Sequence, residues 1–268
     1  MEPTQSVCRP RLSLVVPCYN EEACLRQTAR ELVEAFTARG IPLQLVLVDN
    51  GSRDGTGKLI DELIAQGLPV AKAVVPVNRG YGRGILDGLK LCTAPLVGFI
   101  CADGQVSASS TVEAYCLACA ANGPTLTKVR RRIRQDSWKR KMVSVAYNLG
   151  MQVVFGWLAS LDLNGNPKIL PRDYVQAMAL QSNDWFLDAE LMIKSKHLGL
   201  RVIEFDVTGQ LRRAGKSKVR LSTCWEFLKN MWRFRFGREL RQWKILVKRG
   251  EIAAQFYSPT AVGGNLPE

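Results

Sequence analysis

A single histidine, His197, stands among 268 residues, and that scarcity removes a block of chemistry at once. Ser-His-Asp and Cys-His nucleophilic mechanisms and multi-histidine metal sites are excluded unless the one imidazole acts alone. Its surroundings, Lys194-Ser195-Lys196-His197-Leu198-Gly199, read as the solvated end of a helix. The eight cysteines (8, 18, 24, 92, 101, 116, 119, 224) follow no framework spacing, and several lie in apolar runs. They read as buried or free thiols of a reducing cytoplasm. Cys116-x-x-Cys119 is half of a zinc pattern with no second Cys or His pair, so helix packing is expected there. A charged leader with an apolar core and a cleavage site is also missing, so no secretory signal is expected. Long apolar runs are scarce. Only 142–161 reaches spanning length without a charge. Ser144, Asn148, Gly150, Gln152, Gly156 and Ser160 interrupt it, which predicts a buried or membrane-apposed helix. Repeats, low-complexity tracts and Pro/Ser linkers are absent, so one domain is expected.

Acids are outnumbered by bases, 24 to 37, for a net charge of +13. Such an excess calls for an anionic partner, whether nucleic acid, a phosphorylated ligand or a membrane surface. Position narrows the choice. Residues 128–141 hold eight bases and one acid, and 216–249 hold eleven bases and two acids. The other 220 residues carry a net −3, so a nearly neutral scaffold bears two basic patches.

Short β-branched runs alternate with helical spacing in the first half. Strands are predicted at 12–16, 43–48, 70–75 and 96–100, with helices at 21–39, 56–66 and up to about 92. Leu25, Leu32, Val33 and Phe36 line one side of the first helix. This is the pattern of βαβ units: an α/β fold with a mostly parallel central sheet and helices on both faces. Further strands are predicted at 125–129, 167–170 and 201–207. Ligands in such sheets bind at the carboxyl ends of the strands.

The polar motifs fall at those ends. Strand one runs into Pro17-Cys-Tyr-Asn-Glu-Glu22, strand two into Asp49-Asn-Gly-Ser-Arg-Asp54-Gly-Thr, and strand four into Cys101-Ala-Asp103-Gly-Gln105. Asn78-Arg-Gly-Tyr-Gly82-Arg-Gly84 follows strand three. Each alone is ordinary turn chemistry; four in order are not. The glycines at 80, 82 and 84 would let a ligand approach the backbone at a helix start. A hard divalent cation needs oxygen ligands, and Asp103 with Gln105 offers two.

With these motifs the sequence resembles the GT-A family 2 glycosyltransferases, most closely the branch of dolichyl-phosphate mannose synthases and polyprenyl-phosphate sugar transferases. The resemblance covers about 12–220, and Phe-Leu-Asp-Ala-Glu-Leu at 186–191 with Arg212-x-x-Gly215-x-Ser217-Lys218 favours the branch. It implies a GT-A catalytic domain over 1–215, with a nucleotide-sugar half at 12–105 and an acceptor half at 106–215. A basic amphipathic helical segment at 216–250 and a loose tail at 251–268 would follow. It also implies a role for each matching residue. Pro17, Tyr19, Glu21, Asp49, Asp54, Asn78, Gly82 and Asp103 would hold the nucleotide-diphosphate sugar. Asp103 and Gln105 would face Mg²⁺ or Mn²⁺. Arg130, Arg131, Arg212, Ser217 and Lys218 would engage the acceptor phosphate. Asp103, Asp188 and Arg212 would serve catalysis. Asp188 and Glu190 lie at i and i+2 of a helix, so at most one should aim inward, and Asp188 is preferred.

The implied reaction is an inverting displacement that moves a hexosyl group from GDP-mannose or a UDP-sugar to a polyprenyl or dolichyl phosphate. A phosphate acceptor is already ionised at pH 7 and needs no general base, whereas a glycan hydroxyl would need one, and Asp188 would be the candidate. A hydroxyl acceptor in cell-envelope polysaccharide synthesis is the alternative. Cys101 departs from the family's Asp-x-Asp, and a thiol does not replace a carboxylate towards Mg²⁺; a weakened metal site or a catalytically weakened nucleotide-sugar-binding relative follows from that.

Trp225, Leu228, Trp232 and Phe236 recur at helical spacing among Lys229, Arg233, Arg235, Arg238 and Arg241. That predicts an interfacial helix on an anionic membrane surface through 221–249. The protein is expected at the cytoplasmic face of a membrane, peripherally attached or held by a separate membrane protein, with a homo-oligomer as a further expected partner. Nucleic acid is not an expected partner: the aromatic–basic mixture sits on one helix and no RNA-binding motif is present.

Overall fold

The computed structural model describes residues 9–133, 138–208 and 221–251, with side chains outside 132–141 and 221–226. Arg212, Ser217, Lys218, Trp225's side chain and the tail from 252 onward therefore lie outside the described residues.

A seven-stranded sheet forms the centre, in the order β3-β2-β1-β4-β6-β5-β7. Strands β1 (Leu12–Cys18), β2 (Leu43–Asn50), β3 (Val70–Val75) and β4 (Leu96–Phe99) are mutually parallel. β6 (Lys168–Pro171) is antiparallel to both β4 and β5 (Thr125–Ile133), while β7 (Arg201–Thr208) runs parallel to β5. Chain order reverses between β1 and β4, which makes their carboxyl ends the switch-point crevice. β5 runs past its predicted end at 129, so Arg130 and Arg131 lie within the strand.

Period-two alternation assigns the two sides of the sheet. Leu12, Leu14 and Val16 share one apolar cluster with Leu25, Leu32 and Phe36 of α1 (Glu22–Thr37), and with α2 (Thr56–Ala65) and α4 (Ala108–Ala120). Val15, Val46 and Val48 face the opposite cluster, with Ile85 of α3 (Tyr81–Leu89). On that second side lie α5 (Trp138–Phe155), α6 (Arg172–Met178), α7 (Leu187–His197), α8 (Leu221–Phe236) and α9 (Arg238–Lys248).

The C-terminal helices share this core: Met231, Phe234, Leu240 and Trp243 are buried in it, and the Trp243 indole N–H donates to the Ala177 carbonyl at 2.9 Å. Burying side chains of that size contributes roughly 1.5–3 kcal/mol each, enough to fix both helices against the sheet. Helix α5, expected as a buried or membrane-apposed helix, is not the buried one. It buries Met151 but turns Val145, Leu149 and Val153 outward. Cys116 and Cys119 are exposed on α4 and contribute no core packing; among the described residues no cluster of three His, Cys, Asp or Glu gathers to hold a metal.

The end of α7 is solvated from Lys196 onward, with Lys196, His197 and Gly199 exposed, but the residues just before it are enclosed. Lys194 is buried, paired with Glu190 at 2.6 Å and lying over the Phe234 and Trp243 rings. His197 touches the Trp243 ring; desolvation, with Lys244 and Lys196 nearby, pushes its imidazole down to about 4. The unfolded chain protonates near 6.5, so this contribution to stability is present above pH 6.5 and lost as pH falls to 4. In His197→Gln the decline of Tm across that window should become shallower. Parallel declines in the two proteins would contradict the assignment.

Candidate active site

The carboxyl ends of β1 and β2 are stitched to each other before any ligand is considered. The Asn20 carboxamide oxygen accepts from the Arg53 amide at 2.8 Å, and Glu22 accepts from the Gly55 amide at 2.9 Å. The Glu21 amide donates to the Thr56 hydroxyl at 2.9 Å. Asp54, exposed at its surface, accepts from the amides of Thr56 and Glu22 and from the Thr56 hydroxyl. Desolvation opposes its ionisation, but those hydrogen bonds outweigh it and hold its carboxyl below the ordinary value. Asp49 accepts from the Ser52 amide at 3.0 Å. Pro17, Tyr19, Glu21, Asp49 and Asp54 are thus brought to one rim, with Asp54 organising the loop itself.

The glycine-rich turn has a different reason from the one its sequence suggests. A Cβ at Gly80 would collide with the Asn183 carbonyl, and one at Gly82 would meet the Ser182 carbonyl and, at 2.7 Å, that of Asp184. At Gly84 a Cβ would press on Asn50 and Pro17. The close approach is made by the chain's own 182–184 loop, so Gly82 packs against protein. Asn78 closes the turn by accepting from the Gly80 amide at 2.8 Å, and Gly80 itself adopts φ +113°.

Beside β4, Asp103 is buried at 6% exposure and accepts from the Gln105 amide at 3.2 Å. The Cys101 thiol is pushed up to about 12, by burial first and then by Asp103 and Asp188, against the opposing pull of Arg131 and Lys168. These five side chains form one electrostatic group. Arg131 makes a two-pronged pair with Asp162, at 2.9 and 3.0 Å, and a further bond to the Asn164 carbonyl. Arg130, its neighbour on the strand, projects to the other face and pairs with Asp206. Of the two arginines only Arg131 belongs to the group around Cys101.

Asp188 and Glu190 are both buried, at 1% exposure each. The expectation that at most one aims inward is therefore corrected: 187–195 of α7 is enclosed on every side, so i and i+2 find different buried partners. Asp188 forms an ion pair with Lys168, which is itself fully buried and also donates to the Asn166 carboxamide oxygen at 3.2 Å. Glu190 accepts from the amides of Gln181 and Ser182, holding the loop that fills the space over Gly80 and Gly82. Burial keeps the phenols of Tyr81 and Tyr147 protonated, with Asp188 adding to both shifts. Tyr81 accepts from the Asn166 amide at 2.9 Å and stacks on Trp185 at 4.3 Å.

A second buried cation, Lys128, lies on β5. Lys128 bonds to Glu204 at 2.7 Å, to the Asp162 carbonyl at 2.6 Å and to Ser160 at 3.0 Å. Burial, with Lys168 nearby, pushes its ammonium down to about 8 against the pull of Glu204 and Asp162. This ties the 160–162 turn to β5 and β7, and so presents Asp162 to Arg131. Lys128, Lys168, Asp162 and Asn166 escape sequence reasoning, although a lysine within the apolar strand Lys168-Ile-Leu-Pro is a visible signal.

Residues 13–186 match the family described as glycosyl transferase family 2. The chain belongs to glycosyl transferase family 2. It is 30% identical over 214 residues to the undecaprenyl-phosphate 4-deoxy-4-formamido-L-arabinose transferase of Aeromonas hydrophila, a match covering 78% of this chain and 63% of that protein. The transferase of the same name from Proteus mirabilis is 29% identical over 210 residues, covering 78% and 62%. The chain thus matches somewhat less than two thirds of these relatives' length. In fold it is similar to glucosyl-3-phosphoglycerate synthase from Mycobacterium tuberculosis, solved with Mn²⁺ and UDP-glucose: TM-score 0.66, 20% identity, and coverage of 85% of this chain and 79% of that one. A family 2 GT-A fold, with its mostly parallel sheet and C-terminal helices, is the architecture described above.

Proposed function

We propose that this family 2 protein is an inverting transferase that moves a hexosyl group from a nucleoside-diphosphate sugar to a polyprenyl phosphate at a membrane face. The observation that carries the phosphate acceptor is the commitment of Asp188 to Lys168. A hydroxyl acceptor needs a carboxylate able to take its proton, and a carboxylate enclosed with a buried ammonium is poorly placed for that. A phosphate acceptor arrives ionised, and orientation is the protein's main task. The relatives' names, which specify an undecaprenyl-phosphate transferase, support the same acceptor class. Those names give no support to GDP-mannose, so the donor is proposed only as a nucleoside-diphosphate sugar.

In this reading the rim from Pro17 to Asp54, with Tyr19, Glu21, Asp49 and Asn78, receives the nucleoside. The acceptor phosphate meets Arg131, with Arg212, Ser217 and Lys218 as its proposed further partners. Because Arg131 is already paired with Asp162, the incoming phosphate must share or displace that contact. The division into a donor half at 12–105 and an acceptor half at 106–215 belongs to the same proposal.

Asp103, with Gln105 beside it, would hold Mg²⁺ or Mn²⁺. Their donor set fits an ion whose shell is completed by diphosphate oxygens and water, since one or two protein carboxylates are the usual complement of Mg²⁺. When bound, such an ion would offset the charge on the departing diphosphate. Cys101, held as a thiol, adds nothing for a hard cation. Cys101→Asp should therefore tighten Mn²⁺ about tenfold or more in the presence of nucleoside diphosphate, as read by calorimetry. Unchanged affinity would remove this strand end from the metal's shell.

The proposal is tested by incubating the protein with labelled nucleotide sugars, a short polyprenyl phosphate and Mn²⁺. A sugar-labelled, solvent-extractable lipid is expected. Transfer to hydroxyl acceptors alone would overturn the acceptor assignment.

A further inference from the structure

Two neighbouring helices carry apolar ridges turned to solvent. On α5, Met142, Val145, Leu149 and Val153 recur at helical spacing and are 60, 66, 63 and 77% exposed; Trp157 and Leu161 continue the line beyond the helix. On α8, Leu228, Trp232 and Phe236 stand at i, i+4 and i+8, with Trp232 stacked on Phe236 at 5.0 Å and Arg235 over the Phe236 ring. The helices lie side by side and run in the same direction, because Tyr147 meets Phe227 and Phe155 meets Phe234. Their other faces are spoken for: Met151, Met231 and Phe234 are buried in the core. Single exposed apolar residues are ordinary, but two adjoining ridges form a patch of the kind that marks an interaction surface.

Charge identifies the occupant. Residues 142–161 contain no formal charge, whereas Lys139-Arg140-Lys141 precede them and Lys229, Arg233, Arg235 and Arg238 interleave the second ridge. A second copy of a +13 chain would bring like charge against like, while anionic lipid supplies both the apolar interior and the opposite sign. Among the described residues no helix is long and apolar enough to cross a membrane, so the fit is to a surface.

We infer that α5 and α8 form a two-part membrane-docking face, in which the uncharged α5 ridge enters the acyl boundary and the aromatic–basic α8 ridge rests among anionic headgroups. This deepens the membrane part of the proposed function by giving α5 an insertion role that the basic segment alone does not supply. It also joins docking to the site. Asn148 of α5 accepts from the Leu163 amide at 2.9 Å, next to Asp162, the partner of Arg131. The lipid surface is thereby one helix away from the reacting centre.

The test is flotation with vesicles of phosphatidylcholine alone or mixed with phosphatidylglycerol. The intact chain should bind mixed vesicles more tightly than neutral ones. Leu149→Gln with Val153→Gln should weaken binding to both, by about tenfold or more. Arg233→Gln with Arg238→Gln should weaken only the mixed-vesicle binding, about fivefold for each charge. All three proteins should bind nucleoside diphosphate equally in the absence of lipid, which separates failed docking from a failed transferase reading. Equal vesicle binding by the α5 variant and the intact chain would overturn the α5 role. A lipid-free dimer that the intact chain forms and the α5 variant loses would assign the face to a second copy instead.

Discussion

Lys168→Met is expected to destabilise the protein by about 3–5 kcal/mol, the typical cost of removing one partner from a buried ion pair. Lys168 and Asp188 are 0 and 1% exposed, and the ammonium also bonds to Asn166 and lies 5.6 Å from the centre of the Phe99 ring. Methionine fills most of the volume but leaves the Asp188 carboxylate without its cation. For a chain of this size the loss should appear as a fall in Tm on the order of 10 °C. The double variant Lys168→Met/Asp188→Leu should recover much of it, since well-packed apolar pairs often match a buried ion pair. A single-variant cost below about 1 kcal/mol, measured by denaturant unfolding, would mean that the pair is not the buried contact described.

Asp103→Asn is expected to separate activity from stability. The carboxamide preserves the volume and an oxygen for the Gln105 amide, so stability should change by less than about 1 kcal/mol. Transfer should fall by about a hundred- to a thousandfold, the scale seen when one electrostatic contact to developing charge is removed. Mn²⁺-dependent nucleotide binding should weaken in parallel. An Asn variant with near-normal turnover would exclude Asp103 from the reacting centre.

The parts legible in the sequence are those written over short spans. Leu-Ser-Leu-Val-Val at 12–16 shows both the strand and its alternation, and the polar run at 49–56 marks where that kind of strand ends. Four such ends in order located the crevice. What remained hidden depends on contacts across long separations: Lys128 meets Glu204, 76 residues away, and Lys168 meets Asp188 from a different element. No local period announces such pairs. The glycines show the same limit, because their positions were evident while their reason, the 182–184 loop, was not. Helix α7 defeated the face rule because it has no solvent face along 187–195. Helix α5 exposes its ridge, which decides against the buried alternative that its composition left open beside a membrane-apposed one.

The most direct test of the central claim is the pH dependence of kcat/KM for the acceptor, measured with a polyprenyl phosphate and with a less acidic phosphonate analogue. If the acceptor arrives ionised and no protein base takes part, the acidic limb should follow the acceptor's second ionisation and move upward with the phosphonate. It should also persist in Asp188→Asn. A limb fixed at one pH for both acceptors, and lost in Asp188→Asn, would make Asp188 the general base and contradict the account.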